Sequence, residues 1–306
     1  MRIATYNLRN LFGVGTHPVF NDPIIYTEEL VRERCEHIAS ELKKADADII
    51  IVNEIGSPEV LEQLAWEYLV RYRSFMGRPE VRGIGNGVMY RGKVSDCVGV
   101  SITLHAPTFI LGDGDPYAGK LFSKRELVYL TTSYQGKPLH VFGVHLKSAL
   151  PMRQLDRAGN EQLPQNQAEA GDGHIRTTLR RLAEARALRA ILDNILVQDS
   201  NAQIVVAGDF NDTEFSATLA IVQGREESLP GRLENVCLRV PDAERFSKLS
   251  NGHKKLIDHI LVSESLVPQV GEVRIFNQDL LQLAQTEDEP LAIESDHALV
   301  VVELVE

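Results

Sequence analysis

The chain has 306 residues, of which 43% are hydrophobic and 25% are charged, and its formal net charge at pH 7 is −11. This composition excludes a disordered or fibrous chain, and no apolar run reaches the roughly 18 residues that a membrane-spanning helix needs. The acidic balance gives no long-range attraction to nucleic acid, although local basic patches and bound cations can reverse the field inside a cleft.

The three cysteines, Cys35, Cys97 and Cys237, lie far apart and do not follow the spacing of metal ligands. An odd number of scattered cysteines indicates reduced thiols rather than a disulfide framework. The N-terminal residues enter an apolar segment without the pattern of a signal peptide. We therefore expect a single cytoplasmic domain spanning residues 1–306, with no stable membrane anchor.

The first 70 residues alternate predicted strands with predicted helices. Thr27 is a candidate N-cap for a helix that ends near Lys44, because two glutamates follow it and apolar residues recur with helical spacing. Ser57 is a candidate cap for a second helix with Pro58 in its first turn. The apolar run of residues 48–52 between them is typical of a buried strand. This alternation predicts an α/β layered fold.

Residues 72–148 are predicted to form mainly strands, with a hairpin turn at residues 135–137. The last of these strands ends at His145. An Arg125-Glu126 pair stands just before an earlier strand. The pair is either a phosphate contact or a solvated salt bridge, and the sequence leaves both interpretations open.

Residues 149–173 form a polar segment that is too long for an ordinary loop, and we interpret it as an insertion that acts as a lid or selects the substrate. A long amphipathic helix is predicted for residues 174–198. It carries five arginines: Arg176, Arg180, Arg181, Arg186 and Arg189. Such a face could bind phosphates, but a solvated helix face is the favoured interpretation.

Polar side chains stand in or at the ends of several predicted strands. These residues are Asn7, Glu54, Asp209, Asn211, Asp258, Asp296 and His297. A buried acid is costly unless it is paired or binds a metal ion, so several acids on strands call for a joint explanation. The pattern predicts that they meet in one site.

In chain order the segments TYN, NE, GDFN, IDHILVS and SDH resemble the signature set of the endonuclease/exonuclease/phosphatase superfamily, and the resemblance covers residues 3–302. The superfamily includes pancreatic-type deoxyribonucleases, neutral sphingomyelinases and inositol-polyphosphate phosphatases, and His145 resembles this branch rather than the abasic-site repair enzymes. The resemblance implies a four-layer α/β sandwich of two packed mixed β-sheets flanked by helices. It also implies hydrolysis of phosphate esters with a divalent ion, Mg or Mn.

The resemblance further implies a role for each site residue. The expected metal ligands are Asn7, Glu54 and Asp296. The expected catalytic residues are His145, Asp209, Asn211, Asp258 and His297. Asp209 would orient or deprotonate the attacking water, while Asn211 and His145 would donate hydrogen bonds to the phosphoryl oxygens, with Arg125 also facing the phosphate. Asp258 would pair with His297 and raise its pKa. Either His297 or Asp209 could be the general base, and no carboxylate partner for His145 is evident.

The substrate is left between two classes. We expect a nuclease that cleaves phosphodiester bonds of nucleic acid internally, because of His145, the Arg125-Glu126 pair and the arginines of the long helix. The alternative is a phosphatase or phosphodiesterase that acts on a lipid head group or a small phosphorylated metabolite, which the acidic net charge favours. A binding protein with an inactive site is disfavoured, because so many costly polar residues are retained. No protein partner is predicted.

Overall fold

The computed structural model describes residues 1–305 apart from 16–24, 81, 105–124, 155, 157–160, 227, 251 and 281–293. The strands of this part of the chain form two six-stranded mixed sheets and a short hairpin. The first sheet contains, in spatial order, β13 (Val270–Phe276), β14 (Leu299–Leu304), β1 (Arg2–Leu11), β2 (Ile49–Ile55), β4 (Gly85–Tyr90) and β3 (Arg73–Met76). The second contains β5 (Val94–Val100), β6 (Leu127–Tyr134), β7 (Lys137–His145), β8 (Gln203–Asp209), β12 (Asp258–Ser263) and β9 (Leu233–Asn235). The hairpin pairs β10 (Lys248–Ser250) with β11 (His253–Lys255).

The first two of the four α-helices in the described part of the chain begin where the sequence predicts their caps. The helices are α1 (Glu28–Ala45), α2 (Pro58–Gln63), α3 (Gln167–Gln198) and α4 (Ala217–Gln223). The Thr27 hydroxyl accepts from the N–H of Leu30 at 3.2 Å, and the Ser57 hydroxyl accepts from the N–H of Val60 at 3.4 Å. Each bond satisfies an amide that the first turn of a helix leaves without an intrahelical partner, so both predicted caps are confirmed.

The two sheets pack face to face, and helices cover their outer faces. In β2, Ile49 and Ile51 lie in the core between the sheets, whereas Ile50 and Val52 pack toward α1. A strand buried on both faces needs a continuous apolar run rather than alternation, which is the pattern of residues 49–52. The strand β8 divides its apolar side chains in the same way, between the inter-sheet core and the face covered by α3 and α4. The predicted four-layer α/β sandwich is confirmed.

The helix α3 begins at Gln167, earlier than the predicted start at His174. Asn166 caps it, because its side-chain oxygen accepts from the N–H of Glu169 at 3.0 Å. The last part of the segment predicted as an insertion, residues 167–173, is therefore helical. Residues 155 and 157–160 of that segment lie outside the described part, and its role as a lid stays a prediction.

The predicted hairpin turn between β6 and β7 is confirmed. Gln135 and Gly136 both have positive φ, 49° and 76°, which suits the tight turn between two twisted antiparallel strands. Cys35, Cys97 and Cys237 are free, as predicted. Among the described residues, no helix has both the length and the apolar character needed to cross a bilayer.

Candidate active site

Polar side chains from both sheets meet at one end of the sandwich because the strand registers align them. In the first sheet Asn7 of β1 pairs with Asn53 of β2. In the second sheet Asp209 of β8 pairs with His145 of β7 on one side and with Asp258 of β12 on the other. The sequence-predicted residues of the second sheet therefore stand side by side in neighbouring strands.

The side chain of Glu54 points into this end of the sandwich because β2 is irregular at this residue. Its φ is +62°, and the pairing of β2 with both neighbouring strands shifts register between Asn53 and Ile55. Such a bulge re-aims one side chain out of the regular alternation. The two carboxylate oxygens accept from Asn7 Nδ2 at 3.1 Å and from the N–H of Asn10 at 3.0 Å. Glu54 is thus held at the mouth of the site, with 22% of its side chain exposed.

Asp209 lies buried at the centre of the site. Its Oδ1 accepts from the N–H of Asn211 at 2.7 Å, and its Oδ2 accepts from Asn7 Nδ2 at 3.0 Å and from Asn211 Nδ2 at 3.3 Å. Burial raises the pKa of Asp209, and the nearby charge of Asp258 raises it further. A carboxylate with a raised pKa is a stronger base than an ordinary aspartate.

Gly208, just before Asp209, allows β8 to approach β7 closely. Its φ is +148°, and a Cβ at this position would lie 1.9 Å from the carbonyl oxygen of Val144. Only glycine tolerates both the backbone conformation and the contact. The glycine of the GDFN segment therefore fixes the distance between the strands that carry His145 and Asp209.

His145 contacts a cation rather than a carboxylate through its Nδ1. Arg125 Nη1 lies 2.5 Å from His145 Nδ1, and because a guanidinium can only donate, this contact leaves the ring hydrogen on Nε2. That Nε2 lies 3.7 Å from Asp209 Oδ2 and 3.9 Å from Glu54 Oε1. Burial lowers the pKa of His145 well below its usual value, and the charge of Arg125 lowers it further. The ring is therefore neutral and directs an N–H into the site.

His297 is held between a buried acid and a lysine. Its Nδ1 lies 2.7 Å from Asp258 Oδ2, and its Nε2 lies 2.9 Å from Lys248 Nζ. Burial lowers the pKa of His297, but the charge of Asp258 outweighs this effect and raises it above its usual value. Burial lowers the pKa of Lys248, but the charge of Asp296 outweighs this effect and raises it.

Asp296 faces the site beside these groups. Its Oδ2 lies 2.9 Å from Lys248 Nζ, and 38% of its side chain is exposed. Burial raises the pKa of Asp296, but the charges of His297 and Lys248 outweigh it and lower the pKa to about 2. Asp296 is therefore ionised at neutral pH.

Sequence reasoning missed Lys248 because it belongs to no motif. Its neighbours in the sequence carry no pattern of site residues. The turn at Gly252 would have indicated the hairpin between Lys248 and Lys255, which pair across it. Nothing in the sequence indicates that the hairpin lies beside His297, with which Lys248 forms an isolated antiparallel bridge.

Asn53 and Asn86 form a buried amide bridge behind the site. Asn53 Nδ2 donates to Asn86 Oδ1 at 3.1 Å and to the carbonyl oxygen of Val144 at 3.0 Å, while Asn53 Oδ1 accepts from the N–H of Asp209 at 3.1 Å. Asn86 Nδ2 in turn donates a hydrogen bond to the carbonyl oxygen of Glu126 at 2.8 Å. Asn53 and Asn86 belong to the first sheet. Val144 and Asp209 belong to the second sheet, and Glu126 directly precedes its strand β6, so these hydrogen bonds fix the two sheets relative to each other.

The arginines of α3 are not a solvated face, contrary to the favoured interpretation. Arg176, Arg180 and Arg181 are buried, and only Arg186 of the five is exposed. Arg180 pairs with Glu184 at 3.1 Å. Arg181 pairs with Asp212, and Arg176 donates to the carbonyl oxygen of Met152. Arg189 pairs with Asp193 within the helix and also donates to the carbonyl oxygens of Val222 and Gly231. Arg176, Arg181 and Arg189 therefore join the helix to neighbouring segments, whereas the Arg180–Glu184 pair lies within it.

The acids fit a hard divalent cation, which prefers a few carboxylate oxygens and completes its shell with water and phosphate. Glu54 and Asp296 offer partly exposed oxygens at the mouth. Asn7 directs its amide nitrogen to the acids while its Oδ1 accepts from the N–H of Arg9 at 2.9 Å, so direct ligation by Asn7 stays a prediction. A deeper group combines Asp209, Asp258 and His297, whose ligand atoms all lie within 4.8 Å of one another.

The sequence profile of the Endonuclease/Exonuclease/phosphatase family matches residues 4–297. The chain belongs to this family. Its members are hydrolytic phosphoesterases and generally depend on divalent metal ions. No curated protein matches the chain.

Solved structures of other proteins share the family fold. A mannosyl-6-phosphatase from Bacteroides thetaiotaomicron matches with a TM-score of 0.60 at 16% identity, covering 100% of both chains. The human Nocturnin catalytic domain with bound sulfate matches with a TM-score of 0.57 at 16% identity, covering 99% of this chain and 93% of that one. A 3'-5' exonuclease from Neisseria meningitidis matches with a TM-score of 0.56 at 15% identity over 100% of both chains. At these identities the likeness concerns the fold alone.

Proposed function

We propose that this chain is a divalent-metal-dependent hydrolase of phosphate esters. The observation that supports this most directly is the set of groups around Oδ2 of Asp209. Asn7 Nδ2 lies 3.0 Å from it, His145 Nε2 lies 3.7 Å from it and His297 Nε2 lies 3.9 Å from it. Hydrolysis of a phosphate ester needs a water in line with the leaving group and donors for the phosphoryl oxygens. A buried base beside the neutral donors Asn7 and His145 meets both needs.

Glu54 and Asp296 would hold Mg or Mn at the mouth, with Asn7 beside them. The bound ion would neutralise charge that develops on the phosphoryl oxygens. Asn7 Nδ2 donates to both the Glu54 and the Asp209 carboxylates, so it fixes the position of the metal-binding acid relative to the base.

Asp209 is the proposed acceptor of the proton from water. Its pKa is raised by burial, as described above, whereas the charge of Asp258 outweighs burial and raises the pKa of His297 to about 9, so this ring already carries its proton at neutral pH. A nitrogen whose lone pair is occupied is a poor proton acceptor. His297, whose Nδ1–H is directed to Asp258, then lines the side of the site formed by Asp258.

His145 and Asn211 are the proposed donors to the phosphoryl oxygens. The neutral His145 directs Nε2–H into the site, and Arg125 acts through it by occupying Nδ1. Asn211 Nδ2 donates to the carbonyl oxygen of Leu146 at 3.0 Å and to Asp209 Oδ2 at 3.3 Å, so one of these two hydrogens would turn to a phosphoryl oxygen when substrate binds. Preorganised donors of this kind stabilise a transition state without a reorganisation cost.

Nucleic acid is the first candidate substrate. The hairpin that carries Lys248 next to His297 also presents the exposed residues His253, Lys254 and Lys255. Basic side chains at the rim of a catalytic cleft can position a phosphodiester backbone without reading its sequence.

A small phosphate ester is the second candidate, and the burial of the α3 arginines favours it. Arg176, Arg180 and Arg181 cannot follow an extended polyanion, because they are buried and contact protein groups. The net charge of −11 also repels a polyanion at long range. A single phosphate group needs only the donors inside the site.

The two candidates are separated by matched hydrolysis assays with Mn²⁺ and with Mg²⁺. The substrates are supercoiled plasmid DNA, single-stranded RNA, sphingomyelin vesicles, an inositol phosphate and mannose 6-phosphate. The variants are Glu54→Gln and Asp209→Asn, with Glu62→Gln as the control because Glu62 is exposed on α2 and carries the same charge change. We expect each site variant to lose about 100- to 10,000-fold in rate and the control to keep the rate of the natural chain.

Turnover of a small ester without plasmid nicking would assign the second substrate class and leave the mechanism intact. Nicking that both site variants abolish would assign the first. Hydrolysis that survives both substitutions at the natural rate contradicts the proposed mechanism.

A further inference from the structure

Arg34 of α1 is fully buried and binds the main chain at the end of β1. Its Nη2 donates to the carbonyl oxygens of Leu8 and Arg9 at 2.8 Å and 2.7 Å. Its Nη1 donates to the carbonyl oxygen of Asn10 at 2.9 Å and to the Tyr26 hydroxyl at 3.1 Å. A buried charge is costly unless its hydrogens are bonded, and the planar fork of a guanidinium holds its acceptors in a fixed arrangement. Arg34 therefore fixes three consecutive carbonyl groups of β1.

These carbonyl groups belong to a bulge in β1. The register of β1 on β2 shifts between Asn7 and Leu11, where three residues of β1 stand opposite Glu54 alone. Within the bulge Arg9 and Asn10 have positive φ, 47° and 57°. This left-handed region is unfavourable for a residue with a side chain, so such a conformation persists only where the surroundings hold it. The buried guanidinium provides that hold.

The bulge directs two main-chain N–H groups at residues of the site. The N–H of Asn10 donates to Glu54 Oε2 at 3.0 Å, and the N–H of Arg9 donates to Asn7 Oδ1 at 2.9 Å. The second bond orients the Asn7 amide, so that its Nδ2 donates to Glu54 Oε1 at 3.1 Å and to Asp209 Oδ2 at 3.0 Å. Both carboxylate oxygens of Glu54 are therefore held by groups whose positions depend on the bulge.

Each of these two N–H groups shares a peptide group with a carbonyl that Arg34 binds. The carbonyl of Leu8 and the N–H of Arg9 form one peptide group, and the carbonyl of Arg9 and the N–H of Asn10 form the next. Because a trans peptide group is planar, its C=O and N–H point in opposite directions. Nη2 of Arg34 thus holds, from the side away from the site, the same two peptide groups that donate toward it.

We propose that Arg34 is a positioning residue of the metal site, which sets the affinity for the divalent ion through the bulge in β1. This inference rests on the proposed function, because it takes Glu54 as a ligand of that ion. Groups that orient a metal ligand typically change metal affinity by about 10- to 100-fold when they are replaced. Lysine in place of Arg34 would keep the charge but lose the fork, because an ammonium is a single point of donation.

The test measures the dissociation constant of Mn²⁺ without substrate, by isothermal titration calorimetry and by electron paramagnetic resonance of free Mn²⁺. The variants are Arg34→Lys and Tyr26→Phe. The second removes the hydroxyl that donates to the carbonyl oxygen of Asn10 at 2.6 Å. We expect Arg34→Lys to weaken Mn²⁺ binding by about 10- to 100-fold. Tyr26→Phe should weaken it less, because the guanidinium keeps its three carbonyl acceptors.

Two controls separate positioning from a general loss of stability. Arg32→Lys makes the same replacement on the exposed face of α1, where Arg32 pairs with Glu36 at 3.4 Å. Ser263→Ala removes a buried hydroxyl that accepts from the N–H of Ile204 at 3.0 Å, at the opposite end of β8 from Asp209. Both controls should bind Mn²⁺ with the natural affinity, although Ser263→Ala should lower the free energy of unfolding.

The outcomes distinguish this inference from the proposed function. Natural affinity in folded Arg34→Lys, or an equal loss of affinity in Ser263→Ala, overturns the role of Arg34 and leaves the metal-dependent function in place. No Mn²⁺ binding by the natural chain contradicts the proposed metal site itself, and the role of Arg34 falls with it. Circular dichroism establishes that each variant is folded at the temperature of the titration. If Arg34→Lys does not fold, natural affinity in Tyr26→Phe overturns the inference instead.

Discussion

Replacing Asn53 with alanine should be costly, because its carboxamide joins the two sheets behind the site. Its Oδ1 accepts from the N–H of Asp209 at 3.1 Å. Its Nδ2 donates to Asn86 Oδ1 at 3.1 Å and to the carbonyl oxygen of Val144 at 3.0 Å. Asn53 and Asn86 are fully buried, and the methyl group of alanine offers neither a donor nor an acceptor.

The size of the loss follows from the groups that are left behind. The N–H of Asp209, the Oδ1 of Asn86 and the carbonyl oxygen of Val144 all lose the side-chain partner that Asn53 gives them. A buried polar group without a partner costs about 1–3 kcal/mol, so three such groups lower the free energy of unfolding by about 3–9 kcal/mol. A domain typically has only about 5–15 kcal/mol of stability, so the change would consume a large share of it.

The measurement is urea unfolding followed by circular dichroism, with the free energy of unfolding extrapolated to zero denaturant. Asn201→Ala is the control, because Asn201 is exposed and its replacement should change this free energy by less than about 0.5 kcal/mol. A loss below about 1 kcal/mol for Asn53→Ala would refute the reasoning, because the bridge between the sheets would then contribute no more than an ordinary surface contact.

The same unfolding assay checks three more expectations. Gly208→Ala should cost more than about 2 kcal/mol, because its Cβ would lie 1.9 Å from the Val144 carbonyl oxygen at a φ of +148°. Gly136→Ala, at a positive φ in open space, should cost only about 1–2 kcal/mol, and equal losses would contradict the steric argument. Mn²⁺ at about 100 times its dissociation constant should stabilise the natural chain by about 2.7 kcal/mol but not Glu54→Gln, and EDTA should reverse the gain. Burial lowers the pKa of His259, so below about pH 6.5 the unfolded chain binds a proton that the folded chain resists, and stability falls as the pH falls. His259→Gln should flatten this dependence by up to about 1.4 kcal/mol per pH unit, and identical slopes would contradict it.

The elements that the sequence predicted best are those in which a local pattern and the tertiary environment agree. The run of residues 49–52 is apolar because both faces of β2 are buried, and the polar residues after it mark the end of the strand. Thr27 and Ser57 begin helices because each satisfies an amide in its own first turn. Such signals lie within a few residues of one another, so they can be read without knowing the fold.

The features that the sequence did not predict depend on partners far away in the chain. The burial of Arg181 depends on Asp212, and the placement of Lys248 depends on its pairing with His297. The contact between Arg125 and His145 depends on how β7 lies next to the segment that precedes β6. Helical periodicity and composition give the same pattern whether an arginine faces water or a buried acid, so they could not separate the two cases for α3.

The site is built across the interface between the sheets, and this explains why its parts are so dispersed in the sequence. The first sheet provides Asn7 and Glu54, and the second provides His145, Asp209 and Asp258. Hydrogen bonds cross between the sheets inside the site, since Asn7 of the first sheet donates to Asp209 of the second at 3.0 Å. The distance between metal-binding acid and base is therefore set by the packing of one sheet on the other. A change in the inter-sheet core should alter the geometry of the site even where no site residue is replaced.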